Sequence, residues 1–303
     1  MYAHGWYLVA FEKDLTKEIT SATIGKTRLI LVRKADGITA YSADCPHRGA
    51  HLAHGGRLDG NAIICPFHSY RVGLNKSSRH GFGVQQYETL VVGGLVFVRL
   101  SDAFENGLTD FMTQLAENHV IIPGFETQVK TPPAMVIENG FDNRHFPAVH
   151  GVRNDPQFTV RSGETGTLIV ESEFEIPTSM WVGNRQQEKT IKVPYRATTF
   201  SPGLITVQLS GDANYAVITG ATATPEGDAV VRLSLALPVA VHGKEPDPRF
   251  YQYILTYSRQ GIEDDRVMWE NLAVPFTSKF TAQDAAVLAF HEFCRHYQAG
   301  VEA

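Results

Sequence analysis

Short apolar runs, broken by glycine-bearing turns, dominate the first hundred positions. Residues 27–33 form a β-rich run, Asp36-Gly37 is a hairpin turn signal, and residues 38–41 supply the returning strand. Gly60-Asn61 precedes the apolar Ala62-Ile63-Ile64, and Gly93-Gly94 separates residues 89–92 from 95–98 in a second hairpin. This pattern predicts a small all-β module with its chemistry carried at loop tips. At residues 101–107 the texture turns polar, which sets a boundary between a first domain over 1–101 and a second over 102–303. Strand-like runs then cover 167–174, 190–199, 204–209, 215–221 and 229–237. Helical patterns fall near 138–150 and over 281–298, the latter opening on a T-x-x-D cap at Thr281 and placing Ala286, Phe290, Phe293 and Tyr297 on one face. Long antiparallel strands with a few helices predict an α+β second domain.

Composition narrows the partners. The 303 residues are 43% hydrophobic and 19% charged, enough for about two globular domains with real cores. The net charge of −5, with no Lys/Arg block, argues against nucleic acid and anionic membrane as partners. MYAHGWYLVAFEKDL has no basic leader, and no apolar run reaches membrane-spanning length, so a cytoplasmic location is expected.

The candidate chemistry sits on two loops. Cys45-Pro46-His47 and Cys65-Pro66-Phe67-His68 each carry one Cys and one His. That is the ligand set of a Rieske [2Fe–2S] cluster, in which two thiolates hold one iron and two imidazoles the other. A zinc knuckle uses the same residue types, although it usually pairs Cys with Cys and His with His. The loops read CPHRGAHL and CPFHSYR with no spare cysteine, so the disulfide-bearing respiratory subclass is not expected. Cys294, the third cysteine, falls in the C-terminal helical pattern and reads as a buried or half-buried bystander thiol.

A second constellation lies in ENGFDNRHFPAVH, residues 138–150, as Asp142-x2-His145-x4-His150. Two imidazoles and a carboxylate from elsewhere would make a facial triad for ferrous iron with open positions. Residues five apart on an unbroken helix diverge by about 140°. A kink at Pro147 is therefore expected to bring His150 back beside His145. The plain alternative is two polar positions on a half-buried helix. A one-electron cluster needs an acceptor, however, and an oxygen-activating iron is one.

Together WYLVA at the N-terminus, CPHRGAHL, CPFH, ENGFDNRHFPAVH and the acidic stretch near 263–270 resemble the terminal oxygenase (α-subunit) component of the Rieske non-haem iron oxygenase family. The resemblance implies an α+β architecture: an N-terminal all-β Rieske domain followed by a helix-grip (START-like) catalytic domain with a large antiparallel sheet. It implies that Cys45, His47, Cys65 and His68 ligate the cluster and that His145 and His150 ligate a mononuclear Fe(II). Asp142 matches the family's bridging aspartate, which links a neighbouring subunit's cluster histidine to an iron-bound histidine. The third iron ligand matches Asp265, four residues before Trp269, with Asp264 as the alternative. The chain departs from the family where Ser69-Tyr70 replaces the usual Gly-Trp after His68.

The same resemblance, strongest to the α-only branch that includes ketosteroid hydroxylases and sterol desaturases, implies a homotrimer without β subunits. The expected reaction is hydroxylation or oxidative demethylation of a bulky apolar, polycyclic or natural-product molecule, with O2 as oxidant. No dinucleotide-binding glycine motif is present, so a separate ferredoxin or reductase is expected to deliver electrons from NAD(P)H. Met180, Trp181 and Phe200 read as core rather than cavity wall. An electron carrier with a ligand-binding second domain is the alternative function.

Overall fold

The computed structural model describes residues 4–74, 82–101, 106–182, 185–273 and 278–298. Strands β1 (Trp6–Phe11), β2 (Ile19–Ile24), β3 (Thr27–Lys34) and β4 (Gly37–Ser42) come first in the chain. Strands β5 (Arg57–Asp59), β6 (Ala62–Ile64), β7 (Arg71–Gly73), β8 (Gln86–Val92) and β9 (Leu95–Arg99) follow them. Six of these strands form one antiparallel sheet in the order β1-β9-β8-β4-β3-β2, and β5-β6-β7 form a small second sheet. The expected hairpins are present: Lys34 pairs with Gly37 across one turn and Val92 with Leu95 across the other. Both Pro-marked loops leave this core at buried cysteines, Cys45 and Cys65.

Helix α1 (Leu108–Asn118) leads into β10 (His119–Val129), then α2 (Pro133–Glu138) and α3 (His145–Val149). Strands β11 (Thr159–Ser162), β12 (Leu168–Val182), β13 (Arg185–Ser201), β14 (Leu204–Leu209), β15 (Tyr215–Ala223) and β16 (Ala229–Pro238) complete the sheet. Its seven strands run in the order β10-β16-β15-β14-β13-β12-β11, with every pairing antiparallel. Short α4 (Val239–His242), long α5 (Pro248–Trp269) and α6 (Ala285–Arg295) follow. Among the described residues no helix is long and apolar enough to cross a membrane.

The large sheet is buried on both faces, and the two-residue period of a strand decides which side chain serves which face. On β15, Ala216 and Ile218 join Trp6, Leu8, Phe97 and Met112 in one core, whereas Tyr215, Val217 and Thr219 look into a cavity on the other side. On β14, Leu204 belongs to the first core, and Ile205, Val207 and Leu209 line the cavity. Strand β1 lies against the first face. Its Leu8 carbonyl accepts from Thr222 Oγ1 at 3.0 Å and from Arg232 at 3.2 Å, and Ser201 Oγ donates to the Trp6 carbonyl at 2.9 Å. Phe200 packs in this core against Phe111, with ring centroids 4.9 Å apart, away from the cavity. The side chains of Met180 and Trp181 lie outside the described residues.

Among the elements that were not anticipated, the largest are α1, β10 and the 22-residue α5. The expected helix over 138–150 is interrupted. After α2 the chain makes a single 3-10 turn and a bend at residues 142–144 before α3 begins at His145. The break precedes His145 instead of falling at Pro147, because Pro147 occupies the first turn of α3, where its missing N–H has no intrahelical acceptor to lose.

Gly220 marks how closely β1 and β15 approach, since a Cβ there would sit 2.5 Å from Leu8 Cβ. Gly220→Ala is expected to lower stability by about 1–3 kcal/mol, the typical cost of an added carbon in a packed core. A reduced midpoint in urea denaturation checks it.

Candidate functional site

The two Pro-marked loops have the same local form. Gly49 N–H donates to the Cys45 carbonyl at 2.8 Å, and Ser69 N–H donates to the Cys65 carbonyl at 3.0 Å. Each turn closes on a left-handed residue, Gly49 at φ 69° and Ser69 at φ 57°. Ser69 therefore holds a conformation natural to glycine, at a cost of about 1–2 kcal/mol in local strain. The next side chain, Tyr70, packs edge-on against His47 at 4.7 Å between ring centroids and contacts Phe82 at 5.5 Å.

These loops bring their two histidines together and their two cysteines together. The Nδ1 atoms of His47 and His68 lie 3.2 Å apart on exposed loop tips, while Cys45 and Cys65 are buried beneath them. Burial pushes the Cys45 thiol up, and the adjacent Cys65 adds to the rise. A thiolate pair here thus needs a cationic partner, as a thiolate-bound iron would be. Partial desolvation by neighbouring loop atoms, with His47 and Arg48 beside it, pushes the exposed His68 imidazole down, toward the neutral form that binds metal.

The second group is assembled from two distant segments. In the bend before α3, Asp142 Oδ1 accepts from the Arg144 N–H at 2.9 Å, and the Asp142 backbone carbonyl accepts from His145 Nδ1 at 2.6 Å. A carbonyl can only accept, so His145 carries its proton on Nδ1 and presents Nε2. The bond expected of the Asp142 side chain to this histidine is thus made within the chain by its main chain. His150 follows the last residue of α3, and its ring stands perpendicular to that of His145 with centroids 5.1 Å apart.

The carboxylate comes from α5. Asp247 caps this helix by accepting from the Arg249 N–H at 2.8 Å, and Pro248 occupies its first turn. Near the other end, Arg266 anchors α5 to β10 by donating to the Gln128 carbonyl and to Thr127 Oγ1, each at 2.6 Å. Asp265 is thereby turned inward, 7% exposed, with Oδ1 3.2 Å from His150 Nε2. Asp264 faces outward and accepts from Gln260 at 2.8 Å. One donor atom from each of His145, His150 and Asp265 lies within 4.8 Å of the other two, a spacing that a single divalent ion spans. Burial pushes the His145 imidazole down, which keeps it neutral and available as a ligand.

These groups stand in the wall of a cavity of about 250 Å³. Phe146, Phe174, Ile176, Ile205, Val207 and Val217 give it an apolar lining. Trp269, Asn139 and three tyrosines that sequence reasoning passed over also line it. Asp247-Pro248 was the available signal for α5, and through it for the lining residue Tyr257. Tyr195 supports the 140–150 segment from below. Its ring stacks on Phe174 at 4.4 Å, and its hydroxyl donates to the Gly140 carbonyl at 2.9 Å.

With this geometry in place, comparison with known proteins gives the class. Residues 5–80 match the Rieske [2Fe–2S] domain, and residues 102–291 match the 3-ketosteroid 9alpha-hydroxylase C-terminal domain. A cholesterol 7-desaturase of Drosophila melanogaster is 26% identical over 164 residues, covering 49% of this chain and 38% of that protein. The carnitine monooxygenase oxygenase subunit of Acinetobacter pittii is 32% identical over 175 residues, covering 50% of this chain and 47% of its own. The chain thus spans less than half the length of these relatives. Crystalline dicamba monooxygenase shares the fold with a TM-score of 0.71 at 16% identity, over 97% of this chain and 96% of that one. The chain belongs to the Rieske non-haem iron oxygenase family, with a Rieske domain followed by a catalytic domain of the ketosteroid hydroxylase type. Its cofactors are accordingly a Rieske [2Fe–2S] cluster and a mononuclear iron.

Replacing Tyr195 by Phe removes the donor to Gly140 and strands a carbonyl at the base of the 139–145 segment. A loss of about 1–2 kcal/mol is expected, checked by chemical denaturation of holoenzyme.

Proposed function

We propose that the protein is a terminal oxygenase that monooxygenates a bulky apolar molecule. In this reading Cys45, His47, Cys65 and His68 hold the cluster in a domain over residues 1–101. His145, His150 and Asp265 hold iron in a catalytic domain over 102–303. When bound, the cluster supplies single electrons, and the iron supplies O2 activation for attack on a C–H bond. The protein's own residues orient the ligands, exclude water and place the substrate. The Asp142 carbonyl holds the His145 ring with Nε2 forward. The aromatic group of Phe146, Phe174 and Tyr195 closes one side of the cavity with rings 4.4 to 5.5 Å apart.

The observation that carries this reading is the convergence of His145, His150 and Asp265, from two segments far apart in sequence, on the wall of an apolar cavity. The lining also favours one substrate class. Carnitine is a zwitterion, and a buried carboxylate needs a cationic partner, yet the described lining residues include no Lys or Arg. A polycyclic or other apolar body, hydroxylated or demethylated, fits better.

Electrons would come from a separate ferredoxin or reductase. They would pass between subunits of a homotrimer without β subunits, through the half-buried Asp142 and the exposed His68. Asp142 then acts as the bridge between a partner's cluster and this chain's iron.

Electron paramagnetic resonance of iron-loaded, dithionite-reduced protein, before and after nitric oxide, tests the proposal. A Rieske signal and a new high-spin iron–nitrosyl signal are expected. Asp265→Ala should abolish the nitrosyl signal and spare the Rieske signal, whereas Asp264→Ala should spare both. A wild-type protein with the Rieske signal alone, despite iron loading, would sink the oxygenase reading and leave an electron carrier.

A further inference from the structure

Helix α5 runs along the cavity. Asp265, Gly261, Ser258 and Tyr257 on it all line the space. At 1.5 Å per residue, the eight positions from Asp265 to Tyr257 place the tyrosine about 12 Å along the helix from the metal-ligand end. Across the cavity, β15 presents Thr219, Val217 and Tyr215 on the same face. Thr219 pairs with Ile205, whose side chain reaches Gly140 beside the histidine segment, and Tyr215 pairs with Leu209 at the far end of the strand. Tyr215 and Tyr257 line the same cavity, each at the end of its element away from the metal-ligand candidates, which places both phenols toward one end of the space.

Two of the other polar groups in the wall are engaged. Tyr195 donates to Gly140, and Asn139 accepts from Trp269. The hydroxyls of Tyr215 and Tyr257, by contrast, hydrogen-bond no described residue. Tyr257 stands at the rim, 56% exposed, and Tyr215 lies deeper. Burial pushes the Tyr215 phenol up to about 12, so it remains an O–H donor throughout the physiological range. A half-buried donor without a partner at the end of an apolar space suits a ligand acceptor there, because leaving it unpaired forgoes a hydrogen bond.

We propose that Tyr215 and Tyr257 form a two-hydroxyl clamp for a neutral carbonyl or hydroxyl oxygen on an otherwise apolar substrate, and that this clamp sets which carbon faces the metal ligands. The substrate class follows: a rigid apolar body on the order of 12 Å long with a neutral oxygen function at one end. The position of attack rests on the oxygenase reading, while the clamp itself is a binding site that can be tested without turnover.

The test compares pyrene with pyrene-1-carbaldehyde, two rigid fluorescent probes that differ only in one carbonyl, on iron-loaded holoenzyme. The aldehyde is expected to bind about tenfold more tightly than pyrene, the worth of roughly one net hydrogen bond. Tyr215→Phe and Tyr257→Phe should each cut that ratio about three- to tenfold and leave pyrene's affinity unchanged, which also shows that the cavity is intact. Equal affinities for the two probes, no binding of either, or a ratio unmoved by both substitutions would overturn the clamp. The ratio is read on the same samples whose nitrosyl signal tests the oxygenase reading, so the two claims fail separately.

Discussion

Everything in this molecule depends on the seven-stranded sheet being buried on both faces. A sheet with one wet face would give a simple apolar-polar alternation. Here both sets of side chains are spent, one against β1, β9 and α1 and the other on a cavity. Alternation along β14 and β15 thus sorts residues between two apolar environments. A one-residue slip in register would send Tyr215 and Thr219 into the interdomain core and Ile218 into the cavity. The close approach at Gly220 and the bonds to the Leu8 carbonyl hold β1 at a fixed place on that sheet. The cavity wall and the seat of the first domain are opposite sides of the same strands.

The cavity's chemistry depends on breaks in regular structure. Had residues 138–150 formed one helix, the two histidines would have pointed well apart. The bend at 142–144 frees the Asp142 carbonyl to fix the His145 tautomer, and the end of α3 releases His150 from helical geometry. Helix α5 is the opposite case, a long rigid rod anchored by Arg266, so that Asp265 approaches on a stable support. One flexible-looking segment and one stiff one thus meet at a spacing that suits a single ion.

Much of this was legible in the chain itself. Residues with strong local signatures announced themselves: the Gly93-Gly94 hairpin, the cap at Thr281, and the Cys-Pro loops, which match a Rieske domain over residues 5–80. Cys294 is buried in the main core, as its place on an apolar face indicated. The misses have physical causes. Helix α5 carries a glycine and three tyrosines on a surface shared between cavity and solvent, so its apolar stripe is faint, and only Asp247-Pro248 marked its start. The kink was sought at Pro147 because proline is the usual breaker, yet in a helix's first turn proline costs nothing. Cavity-lining tyrosines look like core tyrosines until a sheet puts their hydroxyls next to empty space.

Ser69 carries a consequence of a different kind. A side chain held in the left-handed region beside His68 makes the second loop less relaxed than the first, whose matching position is Gly49. The loop tip there carries a hydroxyl and the exposed Tyr70 ring. A protein docking at this tip would press on the Tyr70 ring and, through its edge contact, on His47, so the outer contour of the loop is mechanically tied to the histidine pair.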